Sequence, residues 1–203
     1  YSNRKCKHNG LGYWRRQWIS RCRNRIVMIK KILTYCAEQL NSYLGRYYHR
    51  PQGLAEVGHI GQRTGEIPNK VIVSLVNVER ETAGGISNNV QTYGGSFTSS
   101  SAPFLLNLKV MFAAVFEEKQ YAESLSVFSK ALAFIQSQQK FMVDNVKYTL
   151  TLETVSTFDF HNIWTTMGGQ YYPSVVCKLT GVVIDSNEIK SSGSTAQNTE
   201  VQT

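Results

Sequence analysis

No apolar run in the sequence approaches the roughly 18 residues needed to span a bilayer as a helix, which removes helical membrane proteins from consideration. Cysteine is scarce, with 4 in 203 residues. The four form neither a CxxC pair nor a disulfide framework, so a reducing compartment such as the cytoplasm is expected. Cys6-x-His8 lacks a second half for a zinc site. The glycine pairs at 84–85, 94–95 and 168–169 form neither GxGxxG nor a phosphate-binding loop, and no Lys-Ser/Thr follows them. None of His8, His49, His59 and His161 stands in a recognisable order with an acid and a nucleophile, and His49 and His59 share one loop without a metal-ligand set. Glu117 and Glu118 are adjacent at a strand end, where neighbouring side chains point to opposite faces, so they make a poor acid/base pair. These gaps lead to the expectation of a protein that is no enzyme, needs no cofactor or metal, and acts on no small-molecule substrate.

Acidic residues are missing from one region. Residues 1–27 hold eight of the 22 basic residues and no acid, which leaves 14 basic against 14 acidic residues in the remainder. The formal charge of +8 would ordinarily point to nucleic acid or an anionic surface. Here it sits in one arm beside a neutral body. The arm begins at Tyr1, carries Tyr13, Trp14 and Trp18, shows no sustained period and has no apolar signal segment. Met28 then opens a helix pattern at once, so residues 1–27 are expected to lie outside the working protein. The competing reading is a nucleic-acid-binding module, in which the arm neutralises phosphates and stacks bases.

The body is richer in signal. Ile29, Ile32, Leu33, Cys36, Ala37, Leu40, Tyr43 and Leu44 follow the three-four spacing of an amphipathic helix, which Gly45 can cap. A polar connection over 46–69 contains His49 and Arg63, and a loop that long inside a compact domain is often a binding or assembly loop. Lys70–Arg80 is a β-branched strand. The Gly/Ser/Asn-rich stretch 82–101, with Tyr93 and Phe97, lacks core formers and is expected to be mobile in isolation. Phe104–Glu118 alternates as a strand, with Asn107 and Lys109 interrupting its second face. Tyr121, Leu125, Phe128, Leu132 and Ile135 predict a second amphipathic helix ending near Lys140. A strand around Tyr148–Glu153, a short helix over Phe160–Met167 and a strand near Ser174–Asp185 follow. The order predicts an α+β fold with a mostly antiparallel four-stranded sheet and helices packed on one face. A domain over 28–187 and a disordered polar tail over 188–203 complete the expected organisation.

The stretch Tyr148–Asp185 has the most particular punctuation: an alternating strand, a short helix with Trp164, a Gly168-Gly169 break and then Tyr171-Tyr172-Pro173. Trp164 suits a core position beneath that break, or an interface anchor, since tryptophan is enriched at binding hot spots. Tyr171 and Tyr172 flank the turn, and on a strand at most one can point inward. Pro173 favours a strand start.

These residues carry a resemblance. Leu152–Asp185, with Asn162-x-Trp164 leading into Gly168-Gly169-x-Tyr171-x-Pro173-Ser174-Val175, resembles the tail-terminator, or cap, proteins of phage-tail-like contractile injection particles of the antifeeding-prophage and virulence-cassette type. The Met28–Leu44 helix is similar to that family too. So is Pro103–Glu118, with its Leu106-Asn107-Leu108, followed by the Tyr121-x-Glu123-x-Leu125 helix ending in Phe134-Ile135-Gln136. The resemblance covers about Met28 to Asp185, with several motifs in order. It implies a phage tail-terminator-like fold and a structural subunit that forms a six-fold homo-oligomeric ring on tube and sheath proteins in the cytoplasm. Residues 1–27 match nothing in the family, and the further C-terminal domain of some caps has no counterpart here. Candidate contacts are Trp164, Tyr171, Tyr172, Tyr93, Phe97, His49 and Arg63.

Overall fold

In a computed structural model, the described residues are 28–61, 66–81, 89–93, 96–100, 103–168, 170–184 and 189–194, with backbone only for 28, 89–93, 96–100 and 189–194. The chain divides into two compact units. The larger contains a six-stranded sheet of order β1-β2-β5-β8-β7-β6. These strands are β1 (Ala55–Val57), β2 (Lys70–Arg80), β5 (Phe104–Val115), β6 (Lys140–Val143), β7 (Val146–Leu152) and β8 (Ser174–Ile184). Its helices are α1 (Met28–Gly45), α2 (Tyr121–Ser137) and α3 (Thr157–Thr166). The smaller unit is a separate three-stranded sheet, β3 (Asn89–Tyr93), β4 (Ser96–Ser100) and β9 (Ile189–Ser194), in that order.

The large sheet is mixed, which corrects the expected four-stranded antiparallel sheet. β2 runs antiparallel to β5, and β7 to both β8 and β6, but β1 lies parallel to β2. Strand β1 has only three residues inside a polar connection, too short for any period to show. It forms because the Asn41 side chain on α1 accepts from the backbone N–H groups of Leu54 at 2.7 Å and Ala55 at 3.3 Å. Its pairing then continues through Val71 N–H to the Leu54 carbonyl. Strand β6 closes a tight hairpin on β7 through Asp144 and Asn145, both at positive φ (52° and 61°). Asp and Asn tolerate that region because their short polar side chains bond locally.

A second correction concerns the helices, which cover both faces of the sheet. On one face, α1 buries Ile32, Leu33, Cys36, Leu40 and Leu44, while α2 buries Val127, Ala131, Phe134 and Ile135. Tyr43 stacks obliquely on Phe134 and Tyr35 on Phe141, which joins α1 to α2 and to β6. On the other face, Trp164 of α3 belongs to a core with Ile72, Met111, Ala113, Val115 and Val176. Strand β5 is buried on both faces through most of its length, because Val110, Phe112 and Ala114 meet one helical layer and Met111, Ala113 and Val115 the other. Gly181 illustrates how tightly β8 follows β7. Its φ is +97° and a Cβ there would lie 2.7 Å from the Lys147 carbonyl oxygen, so only glycine fits without displacement.

Two polar stretches also contain strands. The Gly/Ser/Asn-rich stretch contains the paired strands β3 and β4, with Tyr93 opposite Ser96, and residues 189–194 supply β9. Backbone hydrogen bonding organises these segments although they have few apolar side chains to bury.

Candidate functional site

Helix α3 starts where Ser156 caps it. The Ser156 Oγ accepts from the Asp159 backbone N–H at 3.1 Å and donates to the Asp159 carboxylate at 2.7 Å, a reciprocal arrangement that satisfies an otherwise orphaned donor. From there Phe160, Ile163, Trp164 and Met167 turn toward the sheet, which leaves Phe158 on the outside at 73% exposure.

An aromatic cluster grows from that placement. Trp164 lies 5.7 Å from Tyr171 and 6.0 Å from Tyr172 between ring centroids, and Phe160 sits 6.4 Å from Trp164 and 6.2 Å from Tyr171. Most of these pairs are edge-to-face, the favoured geometry for ring quadrupoles. Trp164 itself is 5% exposed, whereas Tyr171 is 62% exposed and Tyr172 half-buried. The chain turns after α3 through Gly168, and the Pro173 carbonyl accepts from Ala114 N–H at 2.8 Å, which sets the start of β8 beside the end of β5. The cluster therefore has a buried root in Trp164 and an exposed rim in Tyr171.

Beside it a cleft of about 470 Å³ opens between α3 and the sheet, lined by Val76, Lys109, Glu153, Asp159, Asn162 and Met167 among others. Its charged centre is Lys109, whose Nζ contacts Glu79 at 2.9 Å and Glu153 at 3.2 Å. Those carboxylates, Glu79 foremost, raise the Lys109 pKa against the opposing effect of burial. The second Glu153 carboxylate oxygen is buried without a hydrogen-bond partner. The chemistry available is charge pairing and hydrogen bonding. Among the described residues no group of three His, Cys, Asp or Glu is placed to hold a metal ion, and no helix is long and apolar enough to cross a membrane.

The expected contact residues do not gather into one site. Trp164, Tyr171 and Tyr172 come together. His49 is exposed in the connection after α1, near the Tyr48–Ser126 hydroxyl contact of 2.8 Å and the Arg50–Glu123 ion pair that fasten this connection to α2. Tyr93 and Phe97 fall on backbone-only strands of the smaller unit, so their side-chain contacts lie outside the described residues, as does Arg63 entirely. Sequence reasoning missed the Lys109–Glu79–Glu153 network. Its signal was available in Lys109 itself, since a lysine amid an otherwise apolar strand needs acidic partners.

Residues 34–198 match the family model of the Pvc16 N-terminal domain. The chain belongs to that family. Its fold is similar to two solved structures. One is the sheath/tube terminator, in its extended state, of PVC, an extracellular contractile injection system (TM-score 0.50, 14% identity, 82% of this chain and 60% of that one). The other is the tube-terminating cap of the anti-feeding prophage (TM-score 0.54, 12% identity, 82% and 57%). The chain thus spans about three fifths of the length of these structures. No curated protein sequence matches it. The resemblance read from the Trp164 to Val175 region and the α1 and α2 helices is upheld by both the family match and the fold, and the terminator-like fold is what the resemblance implied.

Proposed function

We propose that the chain is a structural, non-enzymatic assembly protein that caps and terminates the inner tube and sheath of a contractile phage-tail-like injection particle, forming a six-fold ring in the cytoplasm as the particle is built. The observation that carries this reading is the family match over residues 34–198. It is supported by a fold similar to that of two terminators. Exposed Tyr171 on the buried aromatic root of Trp164 supplies the kind of anchor that dominates protein interfaces. The partners are further copies of the chain and the tube and sheath proteins. Trp164, Tyr171 and Tyr172 remain the candidate contacts of the larger unit, His49 a peripheral one, and Tyr93, Phe97 and Arg63 are carried as proposals from the sequence.

Native mass spectrometry of the full chain, alone and with tube protein, tests the reading. A six-membered species that binds tube ends is expected, and a strictly monomeric chain that ignores them would contradict it. The competing nucleic-acid reading rests on residues 1–27. It requires steeply salt-dependent binding that disappears when that segment is deleted.

A further inference from the structure

The α3 side of the large sheet is covered over β2, β5 and the start of β8, and bare over β7 and β6. Register defines that bare surface. Lys140 pairs with Thr149, which pairs with Thr180; Met142 pairs with Lys147; and Thr151 pairs with Lys178. Paired residues share a face, so three lysines, three threonines and Met142 form one flat surface, while Phe141, Tyr148, Leu150 and Leu179 occupy the opposite, helix-covered face. Lys140, Lys147 and Met142 are exposed, and Lys178 is half-buried. The acids that adjoin β6 and β7 in sequence are paired elsewhere: Asp144 with Lys31 and Glu153 with Lys109. Among the described residues the three lysines therefore carry uncompensated positive charge.

The body outside residues 1–27 has balanced charge, so acids must be in excess elsewhere. One such place is the far end of β5. Glu117 and Glu118 are exposed there, and among the described residues neither is in an ion pair. Asn69 accepts from the Glu117 backbone N–H at 2.9 Å, which brings in the loop holding exposed Glu66. Lys119 offsets one of these three acids. Strand order puts β6 at one edge of the sheet and β5 three positions away from it.

We propose that the lysine-threonine face of β6, β7 and β8 docks the Glu66/Glu117/Glu118 end of β5 on a second copy of the chain. Two different, complementary patches on one molecule make a head-to-tail contact, which closes into a ring when the rotation allows. Opposite charge at both patches gives the contact its register and its sensitivity to salt. The inference rests on the ring reading proposed above and names the surfaces that would build it.

Sedimentation velocity of the full chain, read as association constant against salt, tests it. The wild-type chain should self-associate and weaken as salt rises from about 0.05 to about 0.5 M. K140E/K147E and E117K/E118K should each weaken association by about tenfold or more, with unchanged circular dichroism, and the combined four-residue swap should recover much of the loss. The milder K140Q/K147Q pair should show a smaller loss in the same direction. Association indifferent to the lysine changes, or a combined swap no better than either half, would overturn the docking scheme. So would a chain monomeric under all conditions. A tube-end binding assay on the same variants separates the two claims. End-binding that survives with docking disproved leaves the capping role standing, whereas loss of end-binding in the wild-type chain itself removes the capping role.

Discussion

Trp164 shows how one residue joins fold and surface. With 5% of it exposed against Ile72, Met111, Val115 and Val176, Trp164→Ala should cost about 3–5 kcal/mol of stability through lost burial and a cavity. Its indole N–H is buried without a partner, so Trp164→Phe should cost far less, since no hydrogen bond is removed and only ring volume is lost. Urea unfolding of both variants checks the ordering, and equal losses would contradict it. Tyr171→Ala, at an exposed rim position, should leave the midpoint nearly unchanged and lower self-association or tube-end binding instead. The cysteines of the body supply a second residue-level test. Burial raises the Cys36 and Cys177 thiols to about 12, with Cys36 and Glu153 adding to the shift at Cys177. Both should stay protonated at pH 8 and resist maleimide until the chain unfolds. Lys109 is shifted the same way for a different reason. Its carboxylate partners raise its pKa above the ordinary 10.5, so the network stabilises the fold across neutral pH. That contribution fades as pH climbs above about 10.5 through the raised value. Lys109→Met should remove this part of the alkaline dependence in pH-resolved unfolding.

At the scale of elements, legibility followed the length and regularity of the apolar pattern. The helix α1 and strands β2, β5 and β8 were readable because ten or more residues repeat a period against a buried face. The short strands escaped because their causes are not periodic: β1 depends on the Asn41 side chain, and β6 on a two-residue turn at positive φ. Asn41→Ala should cost about 1–3 kcal/mol, because the N–H groups of Leu54 and Ala55 lose their acceptor. Amide exchange should accelerate at those two residues before it does so in β2. The α2 helix gave a subtler misreading. Its sequence stripe Tyr121, Leu125, Phe128, Leu132 and Ile135 suggested the core face; Ile135 is buried, yet the rest of the buried line runs through Ser124, Val127, Ala131 and Phe134. Small Ser124 and Ala131 let the helix sit close to the sheet, which a hydrophobicity pattern ranks below the larger residues beside them.

For the whole molecule, the absence of a catalytic constellation shaped the functional reading from the start, and the resemblance carried by the α3 region supplied the family. The candidate site was legible only in its aromatic part. Its charged cleft depends on β2, β5, the segment after β7 and α3 meeting, a long-range arrangement that no local window contains. Head-to-tail packing through two oppositely charged patches and an aromatic rim would give a closed assembly able to sit on the end of a polymer. The most direct measurement of that role is the length of injection particles imaged by electron microscopy from cells with and without this chain. The account predicts particles of one uniform length when the chain is present, and tubes or sheaths of broad, extended length without it. Identical length distributions in the two preparations would contradict it.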